Sequence, residues 1–250
     1  MKKILLMAVA LGMSGTLSQA LAADLYVKAP SAATAIYDWT GAYVGVFGGG
    51  GFGNHNVNNS NGAAAPFADF TANYSSQGGL AGGEAGYNWQ SGNFIVGVEG
   101  DLFWSGIKGN DASQFAAGAF SGVSAVDADN LRWGGSLRVR GGFTVDRWLV
   151  FFTGGYAFGG IQHTNTNLAN IVDRFNVQAN GLTAGGGIAY ALTDHVIGKF
   201  EYRYTNFNGY NRPGHPLTLN GQIPYTTETT YSAVTAGLDF KFGGPVVAKY

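Results

Sequence analysis

The chain contains no cysteine, few charged residues and, after residue 22, no run of 18 apolar residues. Without cysteine it has no disulfide framework, no thiolate zinc site and no catalytic thiol. The formal net charge is −1 and only 12% of the residues are charged, so the basic footprint of a nucleic-acid-binding protein is missing. Aromatic residues make up 14% of the chain, whereas disordered chains combine high net charge with few aromatics. The sequence therefore predicts a folded protein that does not bind nucleic acid.

Glycine is the residue type in excess. It occupies 41 of 250 positions, or about 16%, against an average of roughly 7%. No G-X-Y period accompanies it, which excludes a collagen helix. Abundant glycine with many aromatics and few charges is typical of tightly curved β-structure.

The N-terminus has the pattern of a secretory signal peptide. Lys2 and Lys3 form a short positive region, residues 4–17 are mostly apolar, and residues 20–22 give an A-x-A cleavage pattern. The alternative is an N-terminal anchor helix, but the apolar run is interrupted by glycine and serine and is short for a span of ~20 residues. We therefore expect residues 1–22 to be a signal peptide and the mature chain to leave the cytoplasm.

Period-two alternation of apolar and polar residues predicts strands with one apolar face. In residues 131–143 the apolar side chains occupy odd positions and the arginines even ones. Similar alternation marks residues 94–104, 196–205 and 230–242. Weaker, glycine-rich segments with alternate aromatics are residues 39–49, 78–90, 148–159 and 178–192. All six prolines fall outside these eight segments, as expected of paired strands, because proline has no N–H to donate.

The links between the segments decide the architecture. Long and short links alternate, with a long one first and last, which places every short turn at one end of an antiparallel sheet. This predicts an all-β fold: an eight-stranded antiparallel up-and-down transmembrane β-barrel over residues 39–242. It would have four long outer loops and three short periplasmic turns. Residues 23–38 would be a periplasmic lead-in and residues 243–250 a C-terminal tail.

A soluble β-sandwich would also alternate, and three features count against it. Lysine appears only five times after residue 22. The polar faces are otherwise filled with glycine, alanine, serine and threonine, as a crowded concave lumen requires. Aromatic residues gather near the strand ends, as in interfacial girdles; they include Trp39, Trp89, Trp104, Trp148 and Tyr204.

The polar face of the strands is expected to line the lumen with a network of paired charges. Its predicted members are Glu84, Glu99, Asp101, Arg132, Arg138, Arg140, Lys199, Glu201, Arg203, Asp239 and Lys241. Five acids and six bases nearly balance, which suits a lumen where an unpaired ion is costly. Because eight strands leave an interior that side chains fill, we expect a plugged barrel.

Several stretches resemble a known family, the small outer-membrane β-barrel proteins of alphaproteobacteria that are akin to opacity proteins and often labelled "porin family". They are residues 37–45 (YDWTGAYVG), 86–90 (GYNWQ), 97–101 (GVEGD), 137–141 (LRVRG), 154–157 (GGYA) and 201–205 (EYRYT). The resemblance spans nearly the whole chain after the leader. It implies a location in the Gram-negative outer membrane. Because the long polar loops would face outward, we expect them to be surface antigens.

The last strand resembles the signal by which the family's chains are read by the outer-membrane assembly machinery. That signal is a polar residue, a glycine and two alternate aromatics, here Thr235, Gly237, Phe240 and Phe242. Such chains usually end on the final phenylalanine, whereas this sequence continues to Tyr250.

No catalytic constellation is apparent, and we expect no enzyme and no cofactor. His55, His163 and His215 are predicted in long loops and His195 in a short turn, without a serine or acid at a matching spacing. Some members of the family that the chain resembles bind haemin, which keeps the three loop histidines open as ligands. Against this, the long loops would carry net negative charge and should not attract anionic groups from a distance; we assign to them Lys108, Arg174, Arg212, Asp69, Asp111, Asp127, Asp129, Asp173 and Glu228.

The sequence thus favours a monomeric structural outer-membrane barrel that supports the envelope and displays its loops. The expected partners are outer-membrane lipids, lipopolysaccharide and the assembly machinery. The alternatives are a narrow porin-like channel for small solutes and a haemin-binding surface receptor.

Overall fold

The structure, a computed structural model, describes residues 37–59, 70–114, 124–166, 172–211 and 226–243. The predicted signal peptide, residues 23–36 of the lead-in, residues 244–250 of the tail and His215 lie outside the described residues. No helix among the described residues has the length and apolar character that crossing a membrane requires.

Eight strands form a closed barrel in chain order, each antiparallel to its neighbours, with β8 paired to β1. The strands are β1 (Gly41–Asn59), β2 (Phe70–Ser91), β3 (Phe94–Gln114), β4 (Ser124–Val145), β5 (Trp148–Thr166), β6 (Val172–Ala191), β7 (Val196–Asn211) and β8 (Thr226–Lys241). The predicted eight-stranded antiparallel barrel is confirmed.

The two ends of the barrel differ. Residues 92–93, 146–147 and 192–195 connect strands at one end, which we call the turn end; the opposite end is the loop end. Gly92 and Asp146 adopt left-handed conformations, with φ of 58° and 52°, as the tight turns between twisted strands require. In outer-membrane barrels the short turns face the periplasm and the longer loops face outward.

The strands extend further toward the loop end than the segments predicted from alternation. β1 continues to Asn59 and β3 to Gln114, whereas the predicted segments end at residues 49 and 104. Large apolar side chains on the outward face of β3 run only from Phe94 to Trp104. These ten steps cover ~34 Å along a strand, or ~26 Å across a bilayer at a tilt of ~40°. Hydropathy therefore marked the edge of the apolar belt, while backbone pairing continues beyond it.

The distribution of apolar side chains is that of a membrane barrel. Outward side chains such as Trp104 (75% exposed) and Phe152 (70%) form an exposed apolar belt. Inward positions carry both buried apolar residues, such as Leu149 and Ile161, and buried ions, such as Glu201. The buried ionic side chains thus point into the barrel, and the apolar belt points outward.

Candidate functional site in the barrel lumen

The middle of the lumen holds a cluster of charged side chains that we call the charge network. Its members come from β2, β3, β4, β7 and β8 and are all buried; they are Glu84, Glu99, Asp101, Arg138, Arg140, Lys199, Glu201, Arg203 and Asp239. All nine were predicted from the inward parity of their strands. A burial this deep requires each charge to have partners, because an uncompensated ion in a lumen is costly.

Arg138 lies at the centre of this network. Its Nη2 contacts Glu99 Oε1 and lies 3.4 Å from Asp101 Oδ2, while its Nη1 contacts Glu201 Oε1. Nη1 also donates a hydrogen bond to Thr153 Oγ1 at 3.1 Å. Because the three acids lie on β3 and β7 and Arg138 lies on β4, these contacts bridge the lumen from one wall to another.

Two further cations complete the bridge. Arg203 places Nη1 3.0 Å from Asp101 Oδ1 and Nη2 3.2 Å from Glu201 Oε2. Lys199 Nζ contacts Glu84 Oε1 and lies 3.6 Å from Glu99 Oε2. The acids are thus shared between cations, so that removal of one cation leaves more than one carboxylate short of a partner.

Arg140 uses an aromatic environment that the sequence reasoning missed. Its guanidinium carbon lies 3.8 Å from the centre of the Phe151 ring, a favourable cation–π distance. Arg140 Nη1 donates to Tyr43 Oη at 3.2 Å, and Tyr43 Oη donates to Glu99 Oε2 at 2.6 Å. The sequence contained one signal for this arrangement. Val44 and Tyr43 are adjacent on a strand and face opposite sides of the sheet; because the valine faces outward, the tyrosine faces the lumen.

Gly45 makes room for the two remaining acids. It is the register partner of Glu84 on one side and of Asp239 on the other. A Cβ at position 45 would come within 2.0 Å of Asp239 Oδ1. The Asp239 carboxylate therefore occupies the space that a side chain at position 45 would take.

Two predicted network members lie elsewhere. Lys241 is buried, but its Nζ contacts the backbone oxygen of Asp38 and lies 4.6 Å above the Tyr37 ring at the turn end. The prediction for Arg132 is wrong: its side chain is exposed and donates to Gln162 Oε1 at 3.2 Å. A β-bulge between Leu131 and Trp133 adds one residue to β4, so the alternation of inward and outward positions reverses there.

The turn end holds a buried cluster that we call the turn-end plug, comprising Tyr37, Trp39, Ile95, Leu149, Phe151, Ala189, Ala191 and Ile197. Tyr37 Oη donates to Asp194 O at 3.2 Å, and burial raises the pKa of this phenol to about 12, so it remains a neutral donor.

Trp39, 1% exposed, is inside the barrel. The prediction that Trp39 belongs to an interfacial girdle is therefore wrong, whereas Trp89, Trp104 and Trp148 are exposed as predicted.

On the loop side of the charge network lies an inward apolar layer that polar-inward parity did not predict. Its members are Phe47, Leu80, Ile107, Leu131, Ala157, Ile161, Ala179, Phe207 and Tyr231. A cavity of about 40 Å³ lies between this layer and Arg203. The layer thus places packed apolar side chains inside the barrel on the loop side of the charge network.

Still nearer the loop end, two histidines and an acid form a buried polar group. His163 Nδ1 contacts Asp129 Oδ1, His55 Nδ1 lies 3.5 Å from Asp129 Oδ2, and His55 Nε2 lies 3.1 Å from Ser76 Oγ. The prediction that these three residues lie in exposed loops is wrong, because each lies on a strand and is 0% exposed. Within the described ranges, no group of three histidine, aspartate or glutamate side chains has the geometry of a metal site.

Comparison with known proteins places this geometry in a family. A model described as "Outer membrane protein beta-barrel domain" matches residues 9–242. The 31 kDa outer-membrane immunogenic protein of Brucella melitensis is 32% identical over 264 aligned residues, covering 97% of this chain and 100% of the relative. The 25 kDa outer-membrane immunogenic protein of Brucella abortus is 30% identical over 218 residues, covering 86% and 85%.

A solved structure with a similar arrangement is that of the outer membrane protein OprG from Pseudomonas aeruginosa. It has a TM-score of 0.47 and 13% identity, and the match covers 84% of this chain and 100% of that one. The sequence matches carry the assignment: this chain belongs to the outer-membrane β-barrel protein family and is a protein of the outer membrane.

Proposed function

We propose that the protein is a structural, non-enzymatic component of the outer membrane whose lumen is sealed and whose loop end presents surface determinants. The observation that carries this proposal is the bridge at Arg138, which binds acids on β3 and β7 across the lumen. A solute moving along the axis would have to displace these ion pairs, and the separation of buried charges from their partners is costly.

Packing at other levels supports the seal. The turn-end plug lies on one side of the charge network and the apolar layer on the other, each with side chains that are almost wholly buried. Eight-stranded barrels have an interior that side chains can fill, whereas open aqueous channels occur at 16 to 18 strands. The names of the Brucella relatives describe them as immunogenic, and we propose that this chain's loop end is likewise exposed to recognition.

Conductance in planar bilayers tests the seal. We expect the purified full-length chain to give no stable, reproducible openings, because each level of the lumen is blocked. The positive control is the double variant Arg138→Ala/Arg203→Ala, which lacks two of the bridging side chains. We expect this variant to open more frequently than the unaltered chain. Regular nanosiemens-scale openings of the unaltered chain would contradict the proposal and favour the narrow-channel alternative.

The haemin-receptor alternative is weakened by the position of the histidines. His55 and His163 are 0% exposed and in contact with Asp129, so neither can reach an external ligand without opening the barrel. Titration of the purified protein with haemin checks this: we expect the Soret spectrum to be the same for the unaltered chain and for His55→Gln/His163→Gln. A spectral shift that the double substitution abolishes would restore the alternative.

A further inference from the structure

The charge network contains one more acid than it has bases. Two cations predicted for it lie elsewhere, since Arg132 is exposed and Lys241 contacts the backbone oxygen of Asp38 at the turn end. The acids that remain are Glu84, Glu99, Asp101, Glu201 and Asp239, and the bases are Arg138, Arg140, Lys199 and Arg203. Because an uncompensated ion in the lumen is costly, the network requires one further positive charge.

Asp239 is the acid that these bases do not reach. Each of the other acids lies within ion-pair distance of a lysine or arginine nitrogen. Among the side chains that the structure describes, no such nitrogen lies at that distance from Asp239, and none donates a hydrogen bond to its Oδ1. Asp239 is 3% exposed, so bulk water does not solvate its charge either.

The neighbour of Asp239 in the lumen is a second carboxyl group, that of Glu84. Both residues are register partners of Gly45, which lies between them on β1. Asp239 Oδ1 lies over this glycine, 2.0 Å from the position that a Cβ would take, and the two carboxyl groups are within hydrogen-bonding reach of each other. Two ionised carboxylates repel each other at such a distance, whereas a carboxyl group donates a strong hydrogen bond to a carboxylate.

The other charged and titratable groups around this pair already have partners. They come from β1, β3, β4 and β7 and are Tyr43, Glu99, Asp101, Arg140 and Lys199. Lys199 contacts Glu84 and lies 3.6 Å from Glu99 Oε2. Arg140 lies 3.5 Å from the same oxygen and donates to Tyr43. These contacts use both of the cations that face the pair, so one of its two carboxylates is left without a counter-charge.

We propose that Glu84 and Asp239 bind one proton between them and that this proton ties β8 to β2 across β1, at the seam where the barrel closes. The proton converts one carboxylate into a hydrogen-bond donor to the other and balances the charge network. It is taken up from solvent when β8 pairs with β1, because both acids are ionised in the unfolded chain above about pH 4. The site does not depend on whether the lumen conducts.

Infrared spectroscopy of the folded full-length chain in detergent at neutral pH tests for the proton directly. The C=O stretching band of a protonated carboxyl group is separate from the bands of carboxylates. We expect the unaltered chain to show this band, and Asp239→Asn and Glu84→Gln each to show it weaker by one carboxyl group, since the amide donates the hydrogen bond in place of the proton. Absence of the band from the unaltered chain, or an undiminished band in both variants, would overturn the proposal.

Denaturant unfolding in detergent micelles from mildly acidic to alkaline pH measures the effect of the proton on stability. A folded state that holds one proton more than the unfolded chain loses stability as the pH rises. Relative to Asp239→Asn, the unfolding constant of the unaltered chain should therefore rise by up to about tenfold per pH unit while the folded pair keeps its proton. Asp239→Asn should be at least as stable as the unaltered chain at neutral pH.

Glu201→Gln is the matched control, because it removes a carboxylate that Arg138 and Arg203 both contact. We expect this variant to be less stable than the unaltered chain at every pH and to keep the same pH dependence. The proposal would be wrong if Asp239→Asn kept the pH dependence of the unaltered chain, or if it lost as much stability as Glu201→Gln.

Discussion

At the scale of single residues, the value of a buried charge depends on whether its partners remain. Replacement of a whole ion network by apolar residues can leave stability unchanged, whereas removal of one partner leaves the other buried charges unpaired. Arg138 has three carboxylate partners, on Glu99, Asp101 and Glu201. Removal of its guanidinium would therefore leave three buried carboxylates short of a cation.

We expect Arg138→Met to lower the free energy of unfolding by about 3–5 kcal/mol, as for a broken buried ion pair. Arg132→Met is a matched control on the same strand, and because Arg132 is exposed its effect should stay within about 0.5 kcal/mol. Denaturant unfolding in detergent micelles measures both. Similar losses for the two variants would mean that Arg138 is not the centre of a buried network.

The sequence predicted the inward position of most of these residues but not of all. Ten of the eleven predicted lumen charges are buried, because strand parity repeats reliably while a strand is regular. Arg132 was misplaced since a bulge is one inserted residue that leaves no mark in the hydropathy pattern. The partners of each charge could not be predicted either, because they depend on register across strands that are distant in sequence.

At the scale of elements, the strands are longer than their amphipathic parts. Alternation identifies a strand only where one face meets lipid, and beyond Trp104 both faces of β3 are mostly polar. His55 and His163 were assigned to loops for this reason, although they lie on β1 and β5. The lengths of the predicted links were therefore overestimates, while their long–short order was informative.

Tyr37 and Trp39, which precede β1, are buried inside the barrel at its turn end. Trp39 N donates to Gln90 Oε1 at 2.7 Å, and the Trp39 ring lies 5.0 Å from that of Tyr37. We expect a variant that retains only Trp39 among the five tryptophans to resist fluorescence quenching by lipids with brominated acyl chains. A variant that retains only Trp104, 75% exposed, should be quenched strongly in the same vesicles.

Both single-tryptophan variants must first show the same heat-modifiable gel mobility as the unaltered chain, so that misfolded protein is excluded. Quenching of Trp39 to the same extent as Trp104 would place it in the lipid-facing girdle, as the sequence alone had suggested.

At the scale of the whole molecule, closure of the sheet removes its free edges. In contrast to a water-soluble protein, the barrel has its ionic side chains inside and its apolar belt outside. β1 and β8 pair along Tyr43–Asn58 and Thr226–Lys241, so the last strand to be made completes the barrel. The order of long and short links was enough to predict this closure. The order of layers along the lumen (turn-end plug, charge network, apolar layer and histidine group) was not predictable. Each layer is built from residues of several strands that are distant in sequence, and their relative heights depend on the register of all eight strands.

We predict that assembly in the cell depends on that last strand. Phe240 and Phe242 face outward, are 47% and 50% exposed, and their ring centres lie 5.4 Å apart. Gly237 is packed closely, since a Cβ there would come within 2.9 Å of Val46 O. The aromatic pair is thus accessible to another protein without any change in the folded barrel.

We expect Phe242→Ala to reduce the amount of heat-modifiable barrel in the outer-membrane fraction severalfold, because the substitution removes part of the signal that the assembly machinery reads. Phe200→Ala is the matched control, since Phe200 is also 50% exposed on the belt but lies on β7, outside the signal. Both purified variants should refold in detergent to the same extent, which separates recognition from stability. Equal loss of Phe200→Ala and Phe242→Ala from the membrane would show that the belt needs both side chains as lipid contacts and that Phe242 carries no signal.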